Sequence, residues 1–203
     1  MTTAIELVPL KCVRCETLIQ ADEEEVAWIC PQCGQGLQLT PAGLSALPVF
    51  VAGAWGATDS KNKPARWLPF WVFTAAVNIT RRDSYGGIDP RPGLNWKEPR
   101  RFYIPAFTAS LEQLQTLGAE LTKEQPPLTP GQYGRGDRAP TLADCTLPPD
   151  EALHVAEFVV LTIEAQRLDK LRQVQFTIEN PTPPELWLLP FTGDPAPKTL
   201  ALA

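Results

Sequence analysis

The chain has 203 residues, enough for one ordinary domain and a small accessory module. Hydrophobic residues make up 44%, which argues against wholesale disorder, and a net charge of −5 argues against whole-surface attraction to nucleic acid or anionic lipid. Proline is over-represented at 22 residues; it removes ladder donors and fixes φ, so short strands, many loops and few long helices are expected. The N-terminus, MTTAIELVPLKC, has no basic leader and no long apolar core. The longest apolar segment, Trp67–Ile79, has 13 residues where a membrane-spanning helix needs about 20. A soluble, cytoplasmic protein is the expectation.

Four of the five cysteines fall in two C-x2-C pairs, Cys12 with Cys15 and Cys30 with Cys33, while Cys145 stands alone. In a chain without an export signal, paired knuckles read as metal ligands rather than disulfides. Fourteen residues separate the pairs, which lets two knuckles close over one tetrahedral ion with four thiolates. In CPQCG, Pro31 fixes the turn and Gly34 permits the positive φ that follows. Val26–Ile29 and Leu37–Leu39 flank this knuckle as strands able to pair as a hairpin. A module of about 40 residues cannot build a sufficient core, so bound metal, at about 10–16 kcal/mol apparent, would supply the folding energy.

Residues 10–40 resemble the zinc-ribbon family on these two knuckles. The resemblance implies one structural Zn2+ on Cys12, Cys15, Cys30 and Cys33. It leaves the role open among nucleic-acid binding, protein docking and stapling. The second knuckle is also similar to that of rubredoxin, which holds iron. The first knuckle, CVRCE, lacks the glycine usual there and the loop between knuckles is too short, so iron is disfavoured. Residues 1–40 carry Lys11 and Arg14 against six acidic residues, Glu6, Glu16 and Asp22–Glu25, which opposes phosphate binding. Docking of a protein through Trp28 and the acidic loop, or a solvated loop beside a structural zinc, fits that charge better.

Further along, Leu47-Pro48-Val49-Phe50, Leu68-Pro69-Phe70-Trp71, Ile104-Pro105-Ala106-Phe107 and the shorter Leu189-Pro190-Phe191 share an aliphatic-Pro-aromatic character. Their irregular spacing excludes a repeat architecture. The residue before proline is driven to extended conformation, and aromatic neighbours favour a pleat. Strands are therefore predicted near 47–52, 67–79, 101–107 and 185–191, with Pro69 at an edge or bulge. In WLPFWVF, alternation places Trp67, Trp71 and Phe73 on one face and Phe70 on the other. A strand apolar on both faces lies between layers; the face of Trp67, Trp71 and Phe73 is also the candidate protein-docking surface.

Residues 61–101 hold nine basic residues against Asp83, Asp89 and Glu98, a local +6, with Tyr85 and Trp96 interspersed. Arg81, Arg82, Trp96, Arg100 and Arg101 are the candidates for an anionic partner: nucleic acid, lipid headgroups in peripheral contact, or an acidic protein. The competing reading has these cations facing the chain's own acidic ribbon or solvating long loops. Ser110-Leu111-Glu112-Gln113 fits a capping box, and Leu111, Leu114, Leu117 and Leu121 form a helical stripe that Pro126 and Pro127 end. A second helix is predicted after Pro148-Pro149-Asp150-Glu151, running through Arg172, although VVLTI within it satisfies a strand pattern equally. QVQFTIE, the turn NPTPP and ELWLLPF read as a β-hairpin. The Arg135-Gly136-Asp137 tripeptide lies in a flexible loop and is read as chance.

No catalytic constellation emerges. His154 is the single histidine, which removes most nucleophile–base and histidine–metal arrangements. Cys145 is read as an inert thiol, and Asp150, Glu151, Glu157 and Glu164 as a solvated helix face. Phosphate-cradling and dinucleotide motifs are missing from the sequence. The expectation is an α+β protein: a four-cysteine zinc ribbon over 1–41, a domain of short, Pro-distorted antiparallel strands with two helices over 42–192, and a flexible tail over 193–203. The functional expectation is a non-enzymatic zinc-binding adaptor or structural subunit mediating protein–protein contacts in a larger assembly. The alternative is a nucleic-acid-binding or regulatory protein using residues 61–101.

Overall fold

The computed structural model describes residues 9–52, 66–86, 89, 91–131, 143–192 and 201–202. The first sheet is small and antiparallel: β1 (Ala27–Ile29), β2 (Gly36–Thr40) and β3 (Gly43–Leu47), in that order. The β1–β2 pairing, with Trp28 opposite Leu37, is the hairpin expected around the second knuckle. β3 adds Gly36 opposite Leu47, so this sheet continues past residue 41. Gly36 is required there by space, because a Cβ would collide with the Leu47 carbonyl and the Val49 side chain. One residue, Pro48, then separates β3 from β4 (Val49–Ala52), and the chain passes into a second sheet.

That sheet is organised by β5 (Arg66–Ser84), 19 residues long, which covers the strand expected near 67–79 and runs on into the stretch read as a polar loop. β6 (Arg100–Pro105) lies on one edge of its first half and β9 (Glu185–Thr192) on the other, both antiparallel. Pro69 thus sits inside a central strand. Its carbonyl accepts from Ala106 N–H at 2.9 Å, so its missing donor would have served the Ala106 carbonyl. That carbonyl accepts instead from Thr146 and Leu147 N–H, at 2.7 and 3.1 Å, and no polar group is stranded. Pro105 ends β6, and Pro190 falls where β9 passes from pairing with β4 to pairing with β10 (Ala201–Leu202). The β4–β9 pairing is parallel, against the all-antiparallel expectation; more than a hundred residues separate the two strands, so no hairpin dictates their sense. β7 (Pro130–Gly131) extends the β4 edge.

The second half of β5 pairs with β8 (Leu171–Glu179). The hairpin expected of β8 and β9 does not form; both run antiparallel to β5, end to end along the same edge. The intervening NPTPP is a bypass rather than a reversal, tied to Thr74 by Thr182 through its N–H and its hydroxyl oxygen, at 2.9 and 3.0 Å. The end of the chain also differs from a frayed tail at Ala201 and Leu202, which pair with Thr192 and Phe191.

Helix α1 (Leu111–Glu124) has the predicted capping box of Ser110 and Gln113 and ends at Gln125 in left-handed conformation before Pro126. Helix α2 (Pro149–Ala165) begins with proline in its first turn and stops seven residues before the predicted end. Two cores follow from β5. On one face Trp71, Phe73, Ala75 and Val77 pack with Phe102, Ile104 and the α2 residues Ala156, Val159, Val160 and Ile163. On the other, Leu68, Phe70 and Val72 pack with Tyr103, Leu189, Phe191 and Leu121 of α1. The two-faced reading of WLPFWVF is therefore realised inside the chain. Among the described residues no helix is long and apolar enough to cross a membrane.

Candidate metal centre

Each C-x2-C pair sits on a tight turn closed by its own backbone. Cys12 N–H donates to Thr17 carbonyl and Glu16 N–H to Cys12 carbonyl, both at 2.9 Å; Cys30 N–H to Gln35 carbonyl and Gly34 N–H to Cys30 carbonyl repeat the pattern. The residue after each knuckle has positive φ: Gly34 at 71°, as its identity predicts, and Glu16 at 59°. The second case carries strain that glycine avoids, of about 1–2 kcal/mol. These turns bring the four cysteine sulfurs within 4.8 Å of one another. Cys12 Sγ lies 3.6 Å from Cys33 Sγ, and Cys15 Sγ 3.5 Å from Cys30 Sγ.

Those separations fit a shared ion rather than disulfides. A disulfide needs about 2.05 Å between sulfurs, whereas a tetrahedral ion with bonds of about 2.3 Å sets its sulfurs about 3.8 Å apart. Cys12 and Cys30 are buried against Trp28 and Leu37, with Leu10, Ile19 and Leu44 around them. Arg14 N–H points at Cys12 Sγ at 3.4 Å, and Thr17 Oγ1 lies 3.3 Å from Cys15 Sγ. The Thr17 side chain, then its backbone, draws the Cys15 thiol down to about 6. Desolvation pushes Cys33 up to about 12. A bound dication would supply the charge that makes four thiolates compatible. Cys145 is a separate case, buried under the first sheet with its thiol raised to about 12 by burial, and so unreactive.

The residues singled out for partners have other occupations. Trp28, Trp71, Phe73 and Trp96 are 6%, 0%, 2% and 5% exposed, so none presents an aromatic face to solvent. Trp28 Nε1 donates to Glu25 Oε2 at 2.8 Å, which also accepts from Asp22 N–H, so one acid of the ribbon loop is structural. Trp71 Nε1 donates to Leu147 carbonyl at 2.7 Å, and Phe73 stacks on Phe102. Trp67 is half-buried opposite Pro190.

Within the basic segment, Arg82 is paired with acids at the C-terminal end of α2 and just beyond it, and Arg81 and Arg91 with the segment's own Asp83 and Asp89, rather than with the acidic loop of the cysteine module. Arg82 binds Glu164 through Nε at 2.6 Å and grips Asp169 with both terminal nitrogens. Glu164 is fully buried and accepts from Trp96 Nε1 at 2.7 Å as well. Asp89 accepts from the backbone and side chain of Arg91 and from Leu168 N–H. The Arg91 guanidinium holds Asp89, and Arg82 holds Asp169, below the usual carboxylate range. Arg81 pairs with Asp83 at the surface; Arg100 lies over the Trp96 ring and Arg101 over the Tyr103 ring. Lys61 and Lys63, and the Arg-Gly-Asp tripeptide, lie outside the described residues. Asp89 and Glu164 do share a cleft with Arg91, Lys123 and Arg167, yet each is already saturated by cationic or indole donors. His154 is exposed on α2. The partners of Arg82 were hidden from sequence reasoning because Glu164 read there as part of a solvated helix face and Asp169 fell inside the predicted helix. No protein family, curated protein or solved structure matches this chain.

Proposed function

We propose that the protein is a zinc-stapled, non-enzymatic adaptor or structural subunit that works by protein contact in a reducing, cytoplasmic setting. The observation that carries this reading is the closed four-sulfur centre. Four protein thiolates fill a tetrahedral zinc and leave no position for water or substrate, which is the arrangement of a structural rather than a catalytic site. Its module is joined to the body where Val26 N–H meets the Cys145 carbonyl and where Leu47 enters the larger core, so the metal fixes one surface relative to another. Support also comes from Asp89 and Asp169: carboxylates held ionised by arginine are poor proton shuttles. The nucleic-acid reading gains no such support, since Arg82 and Arg91 are committed to internal acids.

Native mass spectrometry is expected to show one zinc per chain, lost in Cys12→Ser and Cys30→Ser. Affinity purification of the full chain from its native cells is expected to recover defined partners in a discrete assembly. Iron in place of zinc overturns the metal assignment, and a zinc-loaded monomer that recovers nothing overturns the adaptor.

A further inference from the structure

The joint between the two sheets leaves a slot. Val26 N–H donates to the Cys145 carbonyl at 2.8 Å, and Ala27 bridges Cys145 in antiparallel sense. Beyond that point the walls separate, because Ala143 N–H is drawn to the Trp67 carbonyl in β5 at 3.1 Å. The result is a cavity of about 580 Å³ between β1, the turn at Leu18–Gln20, and Ala143–Cys145, within the size range of clefts that seat ligands. Its lining is polar and apolar in about equal measure; the apolar residues include Leu18, Ile19, Ile29 and Pro31, and Leu18 is 64% exposed.

Two further properties define what fits. Cys30 N–H donates to the Gln35 carbonyl, so the ladder turns Cys30 toward β2, whereas Val26 at the start is shared, its carbonyl accepting from Leu39 N–H and its N–H donating to Cys145. By alternation Ile29 directs its own N–H and carbonyl away from β2, into the slot. The charged residues that line it are acidic, although Lys11 is the bridge partner of the lining residue Leu18. Asp144 and Glu25 line it, the exposed Asp22, Glu23 and Glu24 stand on the loop leading into β1, and its lining contains no lysine or arginine.

We infer that this slot receives an extended segment of a partner protein, apolar at alternate positions and flanked by Lys or Arg, whose main chain pairs with Ile29. Strand addition supplies the register, the apolar residues of the lining take alternate side chains, and Asp144 and Glu25 select basic flanks. The inference rests on the protein-contact reading above and narrows it to one surface.

The test uses the zinc-loaded full chain and two pools of fluorescein-labelled nine-residue peptides. Both alternate Val, Ile or Phe with Ser or Thr; one pool is flanked by Lys and Arg, the other by Asp and Glu. Fluorescence polarisation is expected to show binding of the basic pool at least tenfold tighter than the acidic pool. Leu18→Glu, at an exposed position, is expected to weaken it tenfold or more with zinc content and circular dichroism unchanged. Asp144→Lys is expected to narrow the preference between pools about fivefold. Absence of binding, equal binding of both pools, or indifference to Leu18→Glu overturns the proposal. So does binding that arises only when residues 132–142 are replaced by a Gly-Ser linker, which would assign the slot to the chain's own segment. Self-association abolished by Leu18→Glu would assign it to a second copy and overturn the proposal equally. If the Leu18→Glu chain still recovers the wild-type partners from cells, the slot fails while the adaptor reading stands.

Discussion

The ribbon and the Arg82 cluster solve the same problem with opposite chemistry. Each must hold a turn-rich stretch against a sheet. In the cysteine module, four thiols converge where the apolar residues are too few to form a core, and the cross-link proposed there is a dication. In the body, Arg82 reaches from β5 to Glu164 and Asp169, and the cross-link is a guanidinium already inside a well-packed layer. Once bound, the first would contribute folding energy outright. The second contributes little net stability over an apolar substitute but becomes costly when one partner is removed. The lesson is that a positive segment in a sequence need not be a positive surface.

Removing the metal breaks this comparison at its strong end. Chelation, or Cys30→Ser, is expected to abolish the ribbon's share of stability, about 10 kcal/mol or more apparent. Amide protection should vanish over β1–β3 while α1 and α2 keep their helical signal; retention of ribbon protection in the metal-free chain would refute the metal's role. Next in size, Arg82→Ala strands the buried Glu164 and Asp169 and is expected to cost about 3–5 kcal/mol in chemical denaturation. Arg82→Met with Glu164→Gln and Asp169→Asn should recover much of that loss. An Arg82→Ala chain of unaltered stability would show that the pairs are surface decoration.

Acid should separate the two cross-links in time. Thiolate ligands protonate as pH falls, so zinc is expected to leave first, followed by a chromophoric chelator. Asp89 and Asp169 have folded pKa values below the unfolded value of about 3.9, so their contribution is present above that pH and lost below it. Loss of tertiary structure in the body should therefore begin below about pH 4, after zinc release; simultaneous transitions would join the two regions into one unit. The smallest effect is expected at Glu16, where Glu16→Gly relieves the left-handed strain at 59° and should stabilise the zinc-loaded ribbon by about 0.5–1 kcal/mol.

Much of the local structure was legible because its causes are local. The paired knuckles, the glycine after the second, the capping box at Ser110 and the alternation in WLPFWVF each depend on residues a few positions apart, and the structure has all four. The end of α2 was not legible. QRLDKLR is a competent helix sequence, and it is released from the helix where Asp169 is taken by Arg82 and Leu168 N–H by Asp89, more than seventy residues away. NPTPP carried every mark of a reversal, yet β5 is long enough to pair with the strands on both sides of it.

By itself, then, the amino-acid order determined the α+β class, the cysteine centre and the approximate place of both helices and of the main strands, since spacing, capping and alternation act within one element. Only the tertiary structure decided what the prolines cost, whether the arginines face outward and whether the aromatic run is a surface. Those outcomes depend on which distant group occupies the neighbouring carbonyl, carboxylate or face: Thr146 and Leu147 for the Ala106 carbonyl, Glu164 and Asp169 for Arg82, and α2 for Trp71 and Phe73.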